Sequence, residues 1–354
     1  MDPEINIPLR VNFDYYAPTE FKDSFGARSH NINSSLSVLH SNVRSIQGNF
    51  DKFQQMLFDL DHPFDIIGIS ESWINHENTN VVNIDLPNFH FISQPTEQRA
   101  GGVGFYIKDS FTFHVRNDIN KCTDECEMLW VEISNDKQKN LICGIIYRHP
   151  NSNAEIFLNH LTPILEKINS EGKFCLILGD FNFNLLNYEN HSHTEEFLNT
   201  LNSNFFEPHI TKPTRITDHT STLIDNIFFN SIDFDCSCGN IIYNISDHLP
   251  NILIINDFCS SNKKETIYKI DFTKFDKDSL IDNFKSINWI ETFQNCHNVD
   301  DMFKSFFDIS SEIINTHIPL KKVLRKEAKF LENPWITKDL QTSIQMKCKL
   351  YKKY

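Results

Sequence analysis

Short apolar runs that end abruptly in polar residues recur along this chain, and they predict its strands. Leu36 and Val38 alternate into a strand over residues 35–40, followed at once by Ser41, Asn42, Val43 and Arg44. Phe50, Phe53, Leu57 and Leu60 have helical spacing from about residue 49. The run Ile66, Ile67, Gly68, Ile69, Ser70 reads as a buried strand that ends in Glu71, Ser72 and Trp73. A glycine turn leads into a strand over 99–107, and further strands are expected near 111–115, 128–133 and 141–147, the last closing in Tyr147 and Arg148. An amphipathic helix over 155–168 precedes the apolar run 174–178, which stops at Gly179, Asp180, Phe181 and Asn182. A helix over 194–201 follows, then Thr214, a strand at 223–229 carrying Asp225, and a strand at 241–243 leading to Ser246, Asp247 and His248. A last strand is expected at 252–255.

Short strands in hairpin-like groups, mixed with a few helices, predict two packed mixed sheets with helices outside. The expected fold is α/β (α+β), a four-layered α/β/β/α sandwich over residues 35–257. Residues 1–34 lack sustained periodicity and read as a poorly ordered leader. From 258 to 354 the texture becomes helical, notably over 299–314 and 337–354, and basic near its end.

A chain of 354 residues with 40% hydrophobic content can bury one sizeable core beside an appendage. Its start carries Asp2, Pro3 and Glu4, and no apolar span is long enough to cross a bilayer, so a nuclear or cytoplasmic protein is expected, neither secreted nor membrane-bound. The 9 cysteines lack the histidines and spacing of a zinc finger and read as reduced thiols. The net charge of -14 argues against nucleic acid, but it is unevenly spread. Residues 1–260 hold 16 Lys and Arg against 34 Asp and Glu, whereas 261–354 hold 17 against 13. The acidic bulk and the basic tail are different objects.

Strand ends therefore deliver Asn42, Glu71, Tyr147, Asp180, Asn182, Asp225, Asp247 and His248. Asp180 and Asn182 lie two apart and on one side of an extended chain, although the same residues also suit a β-turn. Taken together, the set suits metal-assisted attack on a phosphate ester. Glu71 can hold Mg²⁺ through hard oxygens. Asp180, placed by Asn182, can orient a water and take its proton, while His248, oriented by Asp225, can donate to a phosphate oxygen. Arg44 presents a guanidinium fork to phosphate.

The order of HSNVRS, SESW, GIIYRHPN, LILGDFNFN, STLIDNIFF and NISDHLP over residues 35–255 resembles the endonuclease/exonuclease/phosphatase superfamily, which includes deoxyribonuclease I and the AP endonucleases. The resemblance implies that Asn42 supports the metal-binding Glu71, with Asp247 near the metal. It implies that Tyr147 contacts the scissile phosphate, that Asp180 and Asn182 handle the nucleophile, and that Asp225 with His248 stabilises the transition state. Arg44, Arg148, Thr214 and Ser246 are the candidate substrate contacts. Within the superfamily, Asn-Val-Arg, RAGGVGFYI, YRHPN and KPTRITDHTSTLIDNIF look most like the endonuclease of non-LTR (LINE-type) retrotransposons. The stretch NPWITKDLQTSIQMKCKLYKKY resembles the linker that leads to a reverse transcriptase in such elements. No polymerase motif follows it, so a fragment, or a truncated or domesticated copy, is expected. The implied activity is Mg²⁺-dependent nicking of a duplex DNA target that leaves a 3′-hydroxyl, with Mn²⁺ as an alternative ion and element RNA as a further partner of the basic tail. The competing functions are a phosphatase of the same fold and a non-catalytic binding protein; fold membership alone does not separate them.

Overall fold

A period of two along each strand decides which side chains enter the space between two sheets. The computed structural model describes residues 11–26, 34–78, 83–135, 139–258, 268–270, 275–294, 296, 298–317 and 320–322. One seven-stranded sheet runs in the order Val11–Tyr16, Cys236–Ile241, Asn251–Ile255, Leu36–Asn42, Ile66–Ser70, Val103–Lys108 and Phe89–Gln94. The second runs Glu207–Pro208, Asp225–Phe229, Phe174–Asp180, Leu141–Arg148, Cys126–Ile133 and Phe113–Val115, with Lys121–Cys122 also paired to Cys126–Ile133. Both are mixed: Leu36–Asn42 pairs in parallel with Ile66–Ser70, as does Leu141–Arg148 with Phe174–Asp180, among antiparallel neighbours.

In the strand Leu36–Asn42, Leu36 and Val38 join the core between the sheets, whereas Leu39 faces Phe53, Met56 and Leu60 of the helix Ile46–Leu60. His40 and Asn42 continue the inward parity, so the inner face turns from apolar to polar along one strand. The strand Phe174–Asp180 does the same. Leu178 points at Gly68 of the first sheet, and Asp180 follows with the same parity. Its register partners Tyr147 and Asp225 lie beside it. One end of the interlayer space is therefore filled by Leu, Ile, Val and Phe, and the other by carboxyls, amides and imidazoles. The helices Ala154–Glu171 and Ser192–Ser203 add Phe157, Leu161, Leu165, Phe197 and Leu201 to the second sheet's core, completing the four layers.

The expected leader is partly built into the fold. Val11–Tyr16 pairs in parallel with Cys236–Ile241, and the helix Pro18–Phe25 buries Phe21 against Phe64. The chain divides into Met1–Ser261 and Asn262–Tyr354. The second unit contains the helices Lys277–Lys285, Trp289–Phe293 and Val299–His317 and a short antiparallel pair, Tyr268–Ile270 with Leu320–Lys322. The helix expected over 337–354 lies outside the described residues. Among the described residues no helix is long and apolar enough to cross a membrane, and the described cysteines are all free.

Candidate active site

Glu71 ends its strand in a left-handed conformation, with φ 49°, and Trp73 repeats it at φ 55°. Such backbone costs about 1 kcal/mol or more for a non-glycine residue and persists where the surroundings over-determine it. Here four backbone hydrogen bonds do so: Ser72 and Trp73 donate to the carbonyls of Gly102 and Gly101, and Ser45 and Ile46 donate to those of Glu71 and Ser72. The turn aims the Glu71 side chain at Asn42. Asn42 Nδ2 donates to Glu71 Oε1 and to Asp180 Oδ2, each at 2.9 Å, so both amide hydrogens are used. Trp73 Nε1 reaches Glu71 Oε2 at 3.3 Å.

Asp180 is delivered by a strand whose preceding residue must be glycine. Gly179 has φ 153°, and a Cβ there would lie 1.9 Å from the Ile146 carbonyl oxygen. The Asn182 N–H donates to Asp180 Oδ1 at 3.0 Å, and Asn182, itself at φ 49°, anchors its amide on the Arg148 carbonyl at 2.7 Å. Burial, reinforced by the nearby Asp225 and Glu71 charges, lifts the Asp180 carboxyl to about 8.

His248 stands on Asp225, with Nδ1 2.8 Å from Oδ2. Burial opposes its charge, but Asp225 and Asp180 outweigh burial and raise the imidazole to about 9. Asp225 is held below the ordinary carboxylate range because His248 outweighs its own burial. The ionised partner places a proton on Nδ1, and Nε2 has no hydrogen-bond partner among the described residues. Ligand atoms of Glu71, Asp180 and His248 lie within 4.8 Å of one another, the one such group among the described residues.

The remaining expected residues take other places. Tyr147 is buried beside Glu71, and burial together with the Glu71 and Asp180 charges pushes its phenol well above the ordinary value. Asp247 is clamped between two arginines, Arg44 Nη1 and Arg215 Nε, each 2.8 Å away, and stands outside the converging three. Thr214 is fully buried and donates its hydroxyl to Asp225 Oδ2 at 2.6 Å, so it supports Asp225 from behind instead of facing solvent. Ser246 donates to the Asn42 carbonyl and accepts from the His248 N–H, tying two loops together. Arg148 is buried over the Phe183 ring and donates to the carbonyls of Phe181, Asn182 and Ser152. Of the four expected substrate contacts, Arg44 is the one whose side chain is about half exposed. Arg215 and Trp73 were absent from the expected set; Arg215 could have been found from its place next to Thr214, and Trp73 from its place in SESW. Beyond Asn182 lies a pocket of about 410 Å³ whose lining includes Arg148, Ser152, Asn153, His191 and His193 and no carboxylate.

A sequence profile described as the Endonuclease/Exonuclease/phosphatase family matches residues 29–248. The chain belongs to that family. No curated protein sequence matches it. Among solved structures, the endonuclease domain of TRAS1, a telomere-specific non-LTR retrotransposon, is 12% identical with a TM-score of 0.47, over 63% of this chain and 99% of that one. The AP endonuclease LMAP from Leishmania major is 12% identical with a TM-score of 0.49, over 63% and 88%. The D. rerio TDP2 complexed with a single-strand DNA product is 12% identical with a TM-score of 0.44, over 63% and 99%. At this distance none of them bears on the choice of substrate.

Proposed function

We propose that this member of the family is a Mg²⁺-dependent endonuclease that nicks duplex DNA. The observation that carries the reading is the convergence of Glu71, Asp180 and His248 around Asn42 at the polar end of the sandwich. The donor set suits a hard divalent cation, because carboxyl oxygens of Glu71 and Asp180 converge there. Glu71, braced by Asn42, is the residue that would hold it. His248, held on Asp225 through Nδ1, is assigned to hydrogen-bond donation instead. When bound, the ion neutralises charge on a phosphoryl oxygen.

The chain's own groups do the rest. Asp180, fixed by the Asn182 N–H, takes a proton from the attacking water. The water oxygen bonds to phosphorus, the bond from phosphorus to O3′ breaks, O3′ takes a proton from solvent, and a 3′-hydroxyl and a 5′-phosphate result. His248, held by Asp225, donates from Nε2 to the oxygen where charge develops, and the Tyr147 hydroxyl stands beside Glu71 to meet the same phosphate. Arg44, about half exposed beside Asp247, would contact the backbone. The exposed Trp73 ring beside Glu71 offers a face on which a base of a polynucleotide can stack. The motif order adds the target-site endonuclease of a non-LTR retrotransposon as the biological type, with the basic residues of 261–354 as a second contact for DNA or element RNA.

The test is nicking of supercoiled plasmid in Mg²⁺ by wild type, Asp180→Ala and His248→Ala. Wild-type nicking that both substitutions abolish supports the reading. Hydrolysis of small phosphomonoesters with no nicking would replace it with a phosphatase.

A further inference from the structure

Glu127 is a second buried carboxyl beside this site, and the chemistry above does not use it. It is 1% exposed. Among the described residues the other buried glutamate, Glu132, has cationic partners in Arg116 and Lys173, but Glu127 has neither lysine nor arginine beside it. Its Oε1 accepts the Thr96 hydroxyl at 2.6 Å and lies 3.1 Å from His149 Nε2, while Oε2 is buried with no hydrogen-bond partner among the described residues. A buried carboxyl costs several kcal/mol unless its oxygens are satisfied, so an apolar residue of similar volume would be the cheaper filling of a mere core position.

Glu127 touches two parts of the site at once. Above it lies the glycine turn. Gly101 has φ 135°, and a Cβ there would stand 2.8 Å from Glu127 Oε1 and 2.9 Å from Thr96 Oγ1, so the turn rests directly on the carboxyl. The carbonyls of Gly101 and Gly102 are those that receive the N–H groups of Trp73 and Ser72 and hold Glu71 in its left-handed turn. Beside Glu127 in the sheet register is Tyr147, whose ring meets that of His149 edge-on at 5.1 Å. We propose that Glu127 is a positioning residue for the metal-holding carboxylate: through Thr96 and the Gly101 turn it fixes Glu71, and through His149 it fixes Tyr147 against the same group. The inference rests on the reading of Glu71 as the residue that holds the cation.

The readout is the affinity of the free protein for Mg²⁺ or Mn²⁺, measured by calorimetry in the absence of substrate. Residues that orient a metal ligand without touching the metal typically change affinity by about 10- to 100-fold. Glu127→Gln is expected to weaken binding within that range. Thr96→Val, which leaves the strand of Glu127 intact, is expected to weaken it by a smaller factor and serves if Glu127→Gln fails to fold. Glu132→Gln is the control for general loss of stability and is expected to leave the affinity unchanged. Affinity within twofold of wild type in both Glu127→Gln and Thr96→Val, or an equal loss in Glu132→Gln, overturns the proposal. A wild type that binds no divalent ion overturns it together with the endonuclease reading. A wild type that binds the ion and cleaves only small phosphoesters overturns the endonuclease reading alone.

Discussion

The side-chain amide of Asn42 donates to a carboxylate oxygen of Asp180 at 2.9 Å, although the two residues belong to different sheets. The same amide group reaches Glu71, so one residue joins both sheets at the polar end of their interface. Asn42→Ala removes both donors and leaves two carboxylates facing each other, and Asn42→Asp adds a third. Nicking is expected to fall by about 10²-fold or more in either variant, by analogy with removal of one preorganised donor. Steady-state kinetics alongside thermal melting check this; a folded Asn42→Asp protein that nicks like wild type would refute the placement.

Asp225 and His248 act as one unit in this geometry. His248→Ala removes the donor and Asp225→Asn removes the group that raises and orients it, so each is expected to lower nicking by about 10²-fold or more. The double variant should be little worse than either alone, because groups that act together are not additive. Rate constants that multiply in the double variant would show that the two residues serve separate steps.

His209 gives a pH dependence of stability far from the chemistry. Burial pushes its imidazole down to about 4, so the folded protein cannot take a proton that the unfolded chain accepts near 6.5. Its folded value is depressed, hence stability is intact above pH 6.5 and is lost as the pH falls towards 4. The loss is on the order of 3 kcal/mol across that window. Urea unfolding at pH 7.5 and 4.5 should show a steeper decline in wild type than in His209→Gln; parallel declines would mean that the burial does not govern titration.

Arg44 is held near the site by Asp247 at 2.8 Å and stands 4.0 Å from Glu71. A fixed cation there favours an intact phosphate backbone, and Arg44→Ala is expected to weaken duplex binding and lower its salt slope by about one. Matched duplexes with and without one abasic site should be cut at similar rates. A large preference for the abasic strand would mark a repair-type enzyme instead.

The uneven charge of the chain predicts that residues 1–260 alone bind duplex weakly and that residues 261–354 add salt-sensitive affinity. Affinity measured against salt with and without residues 261–354 decides it, and equal slopes would exclude a role for the basic region.

The parts of this fold that the sequence revealed are those whose pattern is local. Ile66–Ser70 has the expected bounds, and the helix Ala154–Glu171 has its apolar face where the spacing put it. Val11–Tyr16 was not expected as a strand, because its parallel partner lies more than 200 positions away, and the strand expected at 241–243 lies instead at Cys236–Ile241, where Cys, Ser, Gly and Asn give no apolar run. Phe89–Gln94, at the sheet edge, is neither alternating nor fully buried and gave no signal. Lys277–Lys285 buries no residue; its mark is the Asp276 cap, not an apolar face. At the site, the rule that polar residues stand at the ends of apolar strands found Glu71, Asp180 and Asp225, the last at the start of its strand. It could not say that Asp247 would meet two arginines or that Thr214 would lie behind Asp225, since loop conformation decides both.

The first sheet takes strands from residues 11–108 and again from 236–255, and all strands of the second sheet lie between those stretches. Asn42 and Glu71 are synthesised well before His248. At about 5–20 residues per second, synthesis of the intervening segment takes roughly 10 to 40 s. Throughout that time the nascent chain has Asn42 and Glu71 without His248, and without the strand that places it beside them. Until His248 and the strand Asn251–Ile255 have emerged, a chain still being made lacks a complete site.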